Sequence, residues 1–534
     1  MDQGSVPTSR ARRLLRVFEG PPPGGRLAGR IEHLKARLWL VVVLVLACAV
    51  YVYFASAGGM RNWPVYGIYL DLQADAFRLG HLYVPLEPAR ELVQAADPYD
   101  RVNIRYWALD LSYFRGRYYV YWGPLPALLQ AAVKALLGIT HVVGDQYIGL
   151  YSACLATLGG GLIIERMARR LFGSVPKFVV VFGILAFAFA NPMLHNVTTA
   201  GTYQSAILAG QGWLLPGLAL AFEAVWHGGT DAARRYRLLL AGVCWAFAVG
   251  SRVTVLPTVA LFIGATALAE SWGSERRWRK ALVNSLWLGV PVAATGFALL
   301  AYNQLRFGNP FEFGLKLQLS GYPRLEKFES QFWLPNLYSY TFRPFALSCQ
   351  FPYVFQEWWI SSSTAFPSWM TLPKGYYNMD EPVIGWLRAV PITWFIGFAL
   401  LLMPRPRALH FRHGRVYLWC LVSFSALASL TGLTALGVYA TTMRYLSDVT
   451  PGLVLLALLG AFALRASRFG LLAPKLTSSA IVLLSSVTIV MGCFLGYQGY
   501  NGHFHKYNPK LDEKLVKSLS VCGDSTPKVP RFSP

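Results

Sequence analysis

Apolar runs of roughly 20 residues recur along the chain, each long enough to cross a bilayer as a helix. The first is Leu38–Ala57. Further candidate spans fall at 146–164, 176–195, 205–226, 237–251, 253–270, 281–302, 387–403, 416–436, 449–464 and 476–497. The pattern predicts an all-α polytopic membrane protein of about 11–12 transmembrane helices. A β-barrel would show short alternating segments instead. No internal repeat is evident.

Between the spans lie two long polar segments, 58–117 and 303–386. The first carries seven basic and seven acidic residues and the second six of each, together half of the 26 acids. Basic residues dominate elsewhere. The tail 1–37 holds eight Lys/Arg against three acids. Later clusters are Arg166, Arg169, Arg170, Lys177; Arg234, Arg235, Arg237; Arg276, Arg277, Arg279, Lys280; Arg405, Arg407, Arg412, Arg415; and Arg465, Arg468, Lys475. Each lies between apolar runs, so positive-inside asymmetry places these segments and the N-terminus in the cytoplasm. The two charge-balanced loops and a C-terminal tail, 498–534, then face away from it. The Lys and Pro content of that tail suggests flexibility.

Segment 118–140 strains this topology. If it crossed, the later basic clusters would be inverted. It is expected to dip in and return, or to lie along the outer interface, with Pro124 and Pro126 near its start. The alternative is that one of the short runs at 237–270 does not span. Ala55-Ser56-Ala57 looks like a signal-peptidase site, but the leader is long, so the first helix is expected to remain uncleaved. Arg12-Arg13 stands too far from the apolar run for a twin-arginine signal.

The chain has 534 residues, 54% hydrophobic and 14% charged. Soluble domains average about 25% charged residues, so an ordinary soluble enzyme is excluded. The net charge of +23 is accounted for by topology and needs no nucleic acid. The seven cysteines form no CxxC and no Cys/His cluster, so zinc or redox chemistry is not expected. Cys349 and Cys522 both fall outside the cytoplasm, where a pairing would persist.

Candidate chemistry concentrates outside. In YGIYLDLQADAFRLGHLY (66–83), Asp71 and Asp75 project from one helical face. They suit a general base or a divalent cation, while Arg78 offers Asp75 a purely structural partner. Segment 97–126 holds Asp97, Asp100, Asp110, Arg105, Arg115 and Arg117 among many Tyr and Trp, including Tyr118. Carboxylates with aromatics hold sugars and arginines hold phosphate, whereas an interfacial belt explains the aromatics alone. RFGNPFEFG (306–314) is a turn in which Glu312 acts or fixes the loop. The aromatics of the second loop (Trp333, Tyr338, Tyr340, Phe342, Trp358, Trp359, Trp369, Tyr376) are expected to pack, with a lid as the alternative. Arg444 suits a lipid phosphate or an internal pair with Asp448. Arg252, between two apolar runs, suits phosphate or a neighbouring carboxylate.

The order of Asp71/Asp75, YYVYWGPLPALL and MRYLSDVTP resembles the GT-C superfamily of polyprenyl-phosphate-sugar-dependent glycosyltransferases. More closely, ADAFRLGHLY, DPYD, YYVYWGPLPALL and RFGNPFEFG are similar to a bacterial subgroup related to that superfamily, over most of 38–465. The resemblance implies a multi-pass enzyme of the bacterial plasma (inner) membrane. Such an enzyme moves a sugar from a polyprenyl-phosphate donor to a glycan or lipid acceptor on the extracytoplasmic face. It needs one base, because the departing phosphate needs no protonation, and fixed positive charge for that phosphate. The base candidates are Asp75, then Asp110, then Asp71. Arg117, Arg252, Arg444, Tyr118 and Glu312 are the substrate-binding candidates. In-line attack would invert the anomeric centre. Superfamily members often place Asp-Glu or Asp-x-Asp directly after the first span. Here Gly58–Trp63 holds no acid, and counting back from Gly80 puts the expected position near Tyr66. No cofactor is therefore expected, and a divalent cation is not favoured. The alternatives are a transporter or flippase of lipid-linked glycans, a glycan polymerase or ligase, and a non-catalytic scaffold. A transporter would show repeats and midplane polar groups, but Glu223 and Arg252 are the clearest charges in the spans.

Overall fold

A computed structural model describes residues 38–61, 63–173, 175–226, 230–321, 329–355, 366–378, 383–404, 412–467, 473–499 and 502–522. The basic tail 1–37, Trp358, Trp359, Arg405, Arg407 and Arg468 lie outside the described residues. The chain falls into two units, 1–46 and 47–534. Of the first, only the start of helix α1 (Leu38–Ala55) is described.

Helices in the second unit are α2 (Tyr69–Arg78), α3 (Leu125–Leu137), α4 (Gln146–Arg166), α5 (Lys177–Phe189), α6 (Thr202–Trp226) and α7 (Asp231–Ser251). There follow α8 (Leu256–Ser271), α9 (Arg277–Phe307), α10 (Trp333–Phe342), α11 (Ile396–Leu401), α12 (Arg412–Ser429), α13 (Thr450–Ala466), α14 (Pro474–Gln498) and α15 (Pro509–Leu519). Each of the expected apolar runs is helical. Among the described residues, seven helical stretches are long and apolar enough to cross a membrane: 38–55, 146–172, 202–226, 253–271, 277–307, 412–436 and 474–498. Shorter apolar helices lie at 125–137, 177–189, 391–401 and 450–466, while α7, with 21 residues, is not among the seven. The protein is thus an all-α, multi-pass membrane protein.

Lipid tails offer helices no hydrophobic drive toward one another, so close backbone approach and van der Waals contact hold them. Small residues permit that approach. A Cβ at Gly159 of α4 would lie 2.5 Å from the backbone nitrogen of Pro216 in α6. One at Gly242 of α7 would lie 2.4 Å from the carbonyl of Leu288 in α9. Glu223 of α6 takes Arg166 at 2.7 Å and Arg170 at 3.0 Å, both from the predicted cytoplasmic cluster.

The strained segment 118–140 resolves into two pieces. Strands β1 (Ser112–Phe114) and β2 (Arg117–Tyr119) form an antiparallel hairpin. Then α3 follows, 13 residues long. At 1.5 Å per residue it measures about 20 Å, short of the roughly 30 Å hydrocarbon core. It packs instead on α2, with Ala127 and Ala131 against Ala74 and Phe77.

The described part of the C-terminal tail, 502–522, departs from the expected flexibility. Residues 503–507 and α15 are helical. Asn508 accepts from the Leu511 N–H at 3.3 Å to cap α15, and Pro509 opens it. Cys349 and Cys522 form a disulfide with Cα atoms 5.4 Å apart. Tyr497 donates to Asp512 at 2.6 Å. The charged stretch is fixed by partners far away in sequence, which local composition does not reveal.

Of the second-loop aromatics, Tyr338 and Tyr376 pack around Phe366, while Trp333 and Trp369 are exposed. The Tyr338 and Tyr376 rings lie 5.6 and 5.9 Å from that of Phe366. The hydroxyl of Tyr340 accepts from the Thr442 N–H at 3.4 Å.

Candidate functional site

A cavity of about 520 Å³ opens where four polar segments meet: 66–69, 109–110, 199–204 and 438–445, joined by Gln318 and Ser320. Its volume suits a small-molecule site, a few hundred to about 1,000 Å³. Tyr66, Tyr69, Trp122, Tyr203, Tyr439 and Tyr445 supply aromatic walls.

Asp110 is the carboxylate on this wall. It follows a loop whose other acids serve local turns: Asp97 accepts from the Tyr99 N–H at 2.9 Å and Asp100 from the Val102 N–H at 3.1 Å. The backbone of Asp110 is left-handed, with φ +69°. That conformation is uncommon outside glycine, and Asp is among the residues that tolerate it. The Asp110 N–H donates to the Leu319 carbonyl at 2.9 Å, and the Leu319 N–H donates to the Leu111 carbonyl at 2.9 Å. The second long loop therefore sets the angle at which Asp110 enters the cavity.

Oδ1 of Asp110 accepts from the Tyr203 hydroxyl at 2.8 Å and from Gln318 Nε2 at 3.3 Å. Gln318 Nε2 also lies 3.0 Å from the Tyr203 hydroxyl. Burial raises Asp110 above the usual carboxylate range, opposed by the Tyr203 bond, the Arg444 charge and Gln318. Both bonds fall on Oδ1, which leaves Oδ2 to receive a proton.

Arg444 approaches from segment 438–445. Its guanidinium lies 4.6 Å from the centroid of the Tyr203 ring. Tyr203 thus touches both charged groups, one with its hydroxyl and one with its face. It stands in the first turn of α6. The entry to that turn is tight, because a Cβ at Gly67 would lie 2.5 Å from the Thr202 nitrogen. Asp145 locks the same corner, accepting from the Thr202 hydroxyl at 2.6 Å and the Asp71 N–H at 2.9 Å. Burial pushes Asp145 up to about 6. Gly67→Ala is expected to displace the 66–69 wall and lower both protein yield and thermal midpoint, measured side by side with wild type.

The remaining candidates lie elsewhere. Asp71 and Lys134 are fully buried and paired at 3.1 Å, and Asp71 also accepts from the Val143 N–H at 2.9 Å. Asp75 takes Lys134 at 2.8 Å and Arg78 at 3.5 Å. The i,i+4 carboxylates do share a face, but a lysine from α3 occupies it. Arg117 is exposed and stacks on Tyr83, 4.2 Å from the ring centroid. Tyr118 is buried in the hairpin, its carbonyl accepting from the Val84 N–H at 2.8 Å. Glu312 accepts from the Gly314 N–H at 2.7 Å and fixes its own turn. Arg252 grips Asp448 with contacts of 2.5 and 2.6 Å. Asp448 therefore pairs across the fold rather than with Arg444.

Sequence reasoning did not single out Tyr203 or Gln318. Tyr203 precedes an apolar run and reads as its interfacial anchor, and Gln318 sits in a featureless LKLQLSG. Among the described residues, no group of three His, Cys, Asp or Glu side chains converges as metal ligands would.

The sequence matches no protein-family model and no curated protein. Among solved structures, the chain is similar to ArnT from Cupriavidus metallidurans bound to undecaprenyl phosphate. That match has 14% identity and TM-score 0.47, and covers 92% of this chain and 82% of that one. It is also similar to the oligosaccharyltransferase AglB from Archaeoglobus fulgidus, in complex with an inhibitory peptide and a dolichol-phosphate. There the identity is 14% and the TM-score 0.44, over 94% of this chain and 62% of that one. The apo form of the Archaeoglobus fulgidus oligosaccharyltransferase matches at 14% identity and TM-score 0.43. The chain spans 61% of its length.

Proposed function

We propose that this protein is a membrane glycosyltransferase that moves a sugar from a polyprenyl-phosphate donor to a hydroxyl of a glycan or lipid acceptor at the extracytoplasmic face. One observation carries the reading. A carboxylate, Asp110, and a guanidinium, Arg444, line one aromatic-walled cavity, with Tyr203 in contact with both.

The chemistry follows from those groups. Asp110 Oδ2 takes the proton of the acceptor hydroxyl as its oxygen attacks the anomeric carbon. The bond from that carbon to the phosphate oxygen breaks, and polyprenyl phosphate leaves with the electron pair. Arg444 neutralises the charge gathering on the leaving group. Attack opposite the departing phosphate inverts the anomeric centre. Nothing in the scheme calls for a metal ion. The resemblance of MRYLSDVTP and YYVYWGPLPALL to the GT-C pattern adds support from sequence. The flippase reading finds less, because Glu223 and Arg252 are both engaged in ion pairs away from the cavity. The donor-bearing membrane is expected to be the bacterial inner membrane.

The test uses full-length protein in liposomes with short-chain polyprenyl-phosphate sugars and a membrane glycolipid extract, following released polyprenyl phosphate with and without EDTA. Release that persists in EDTA supports the metal-independent scheme. Arg444→Gln is expected to lower turnover by roughly 10²–10³-fold, the cost of losing one preorganised charge at a transition state. No release from any donor, with glycolipid crossing sealed vesicles instead, would overturn the proposal in favour of a transporter.

A further inference from the structure

The cavity has a second polar wall that this chemistry leaves unused. Tyr66 lines it beside Gly67 and Tyr69. The Tyr66 hydroxyl lies 2.5 Å from Nδ1 of His503, and Nε2 of His503 lies 3.1 Å from the Phe54 carbonyl oxygen. A carbonyl only accepts, so Nε2 carries the ring hydrogen and Nδ1 is the acceptor. Tyr66 therefore donates its proton to Nδ1. His503 is fully buried, and burial pushes it down to about 4, so the ring stays neutral at pH 7. A phenol whose one hydrogen is already committed can meet a ligand only as an acceptor.

The pair is held firmly. The rings of His503 and Tyr507 lie 5.5 Å from that of Tyr66, and the Tyr507 hydroxyl is a second hydrogen-bond partner of the Tyr66 hydroxyl, which leaves the phenol one lone pair for a ligand. Behind them, the C-terminal segment is fastened by the Cys349–Cys522 disulfide, by the bond of Tyr497 to Asp512, and by His505 at 2.9 Å from Asp512. A neutral imidazole satisfied at both nitrogens and placed by so many constraints gives Tyr66 a fixed hydroxyl direction.

We propose that the Tyr66 hydroxyl, oriented by His503, accepts a hydrogen bond from a sugar hydroxyl in the cavity and so selects glycosylated over bare lipid phosphate. The inference rests on the sugar-phosphate reading of the cavity. Arg444 takes the phosphate on the 438–445 wall, and Tyr66 takes the sugar on the 66–69 wall. Tyr66 and His503 are positioning residues, and His503 makes the C-terminal segment part of the site.

The test measures binding to full-length protein in nanodiscs. The probes are citronellyl phosphate and citronellyl phosphate bearing glucose, galactose, mannose or arabinose. At least one glycosylated probe should bind more tightly than the bare phosphate. Tyr66→Phe should remove roughly 3- to 10-fold of that advantage, the worth of one net hydrogen bond, and leave citronellyl phosphate affinity unchanged. His503→Phe should do the same, and His503→Asn, which keeps an acceptor near Nδ1, should restore part of it. The double variant Tyr66→Phe/His503→Phe should be no worse than either single change. The unchanged bare-phosphate affinity reports that each variant is folded. An unaltered preference in Tyr66→Phe, a parallel loss for both probes, or no wild-type preference at all would overturn the proposal. Sugar-dependent binding that needs Tyr66, with no phosphate release by wild type, would keep this inference and remove the transferase reading.

Discussion

Asp110→Asn is expected to lower the release of polyprenyl phosphate by about 10²–10⁴-fold, the usual contribution of a positioned general base. Donor binding should survive, because Asn keeps an oxygen for the Tyr203 hydroxyl and Gln318 and leaves Arg444 in place. The pH profile gives an independent check. Burial raises Asp110 in the folded protein, so the acid limb of kcat/KM should lie above the ordinary carboxylate range. The sign for stability is opposite to that of a paired carboxylate. A group whose folded pKa is raised contributes stability below its unfolded pKa and loses it as pH rises through the folded one. Ionising Asp110 in the folded protein thus carries a cost, and Asp110→Asn should leave the thermal midpoint equal or higher. Loss of turnover with a preserved midpoint marks a chemical role. Full turnover in Asp110→Asn would remove it from the reaction.

Much of the architecture was legible because it is written in local patterns. The apolar runs, the basic clusters between them and the two charge-balanced long loops each follow from a stretch of sequence read alone. The site is different in kind. Asp71, Asp75 and Asp110 all read as acids in an outer loop. What separates them is Lys134, which reaches Asp71 and Asp75 from about sixty positions away. For Asp110 the deciding feature is a left-handed turn fixed by Leu319 in the other loop. The two arginines show the same limit. Asp448 stands at i+4 from Arg444, the spacing of an internal pair, yet it is taken by Arg252, 196 residues away. Arg444 itself lines the cavity. Long-range pairing among charges of similar local context carries no periodic signal, so spacing ranks such residues poorly.

The Lys134 cluster supplies the second large effect, and it separates structure from chemistry. Lys134→Met would leave Asp71 fully buried without its cation, and breaking a buried pair from one side costs about 3–5 kcal/mol. The expected result is a large drop in thermal midpoint and in the yield of detergent-extracted protein, with α2 and α3 losing their contact. Asp75→Asn should behave quite differently. Asp75 is 20% exposed, and its removal leaves the Asp71–Lys134 pair and the Val143 bond intact. Stability should change little, and turnover should stay within a few-fold of wild type, because the Asp75 side chain does not line the cavity. Purified Asp75→Asn with a normal midpoint and no phosphate release would transfer the base from Asp110 to Asp75. It would also mean that the cluster opens during turnover, with Lys134 holding only Asp71 in the reactive state. Normal release by Asp75→Asn beside a silent Asp110→Asn would assign the ion-paired carboxylates to the fold and the left-handed one to the reaction.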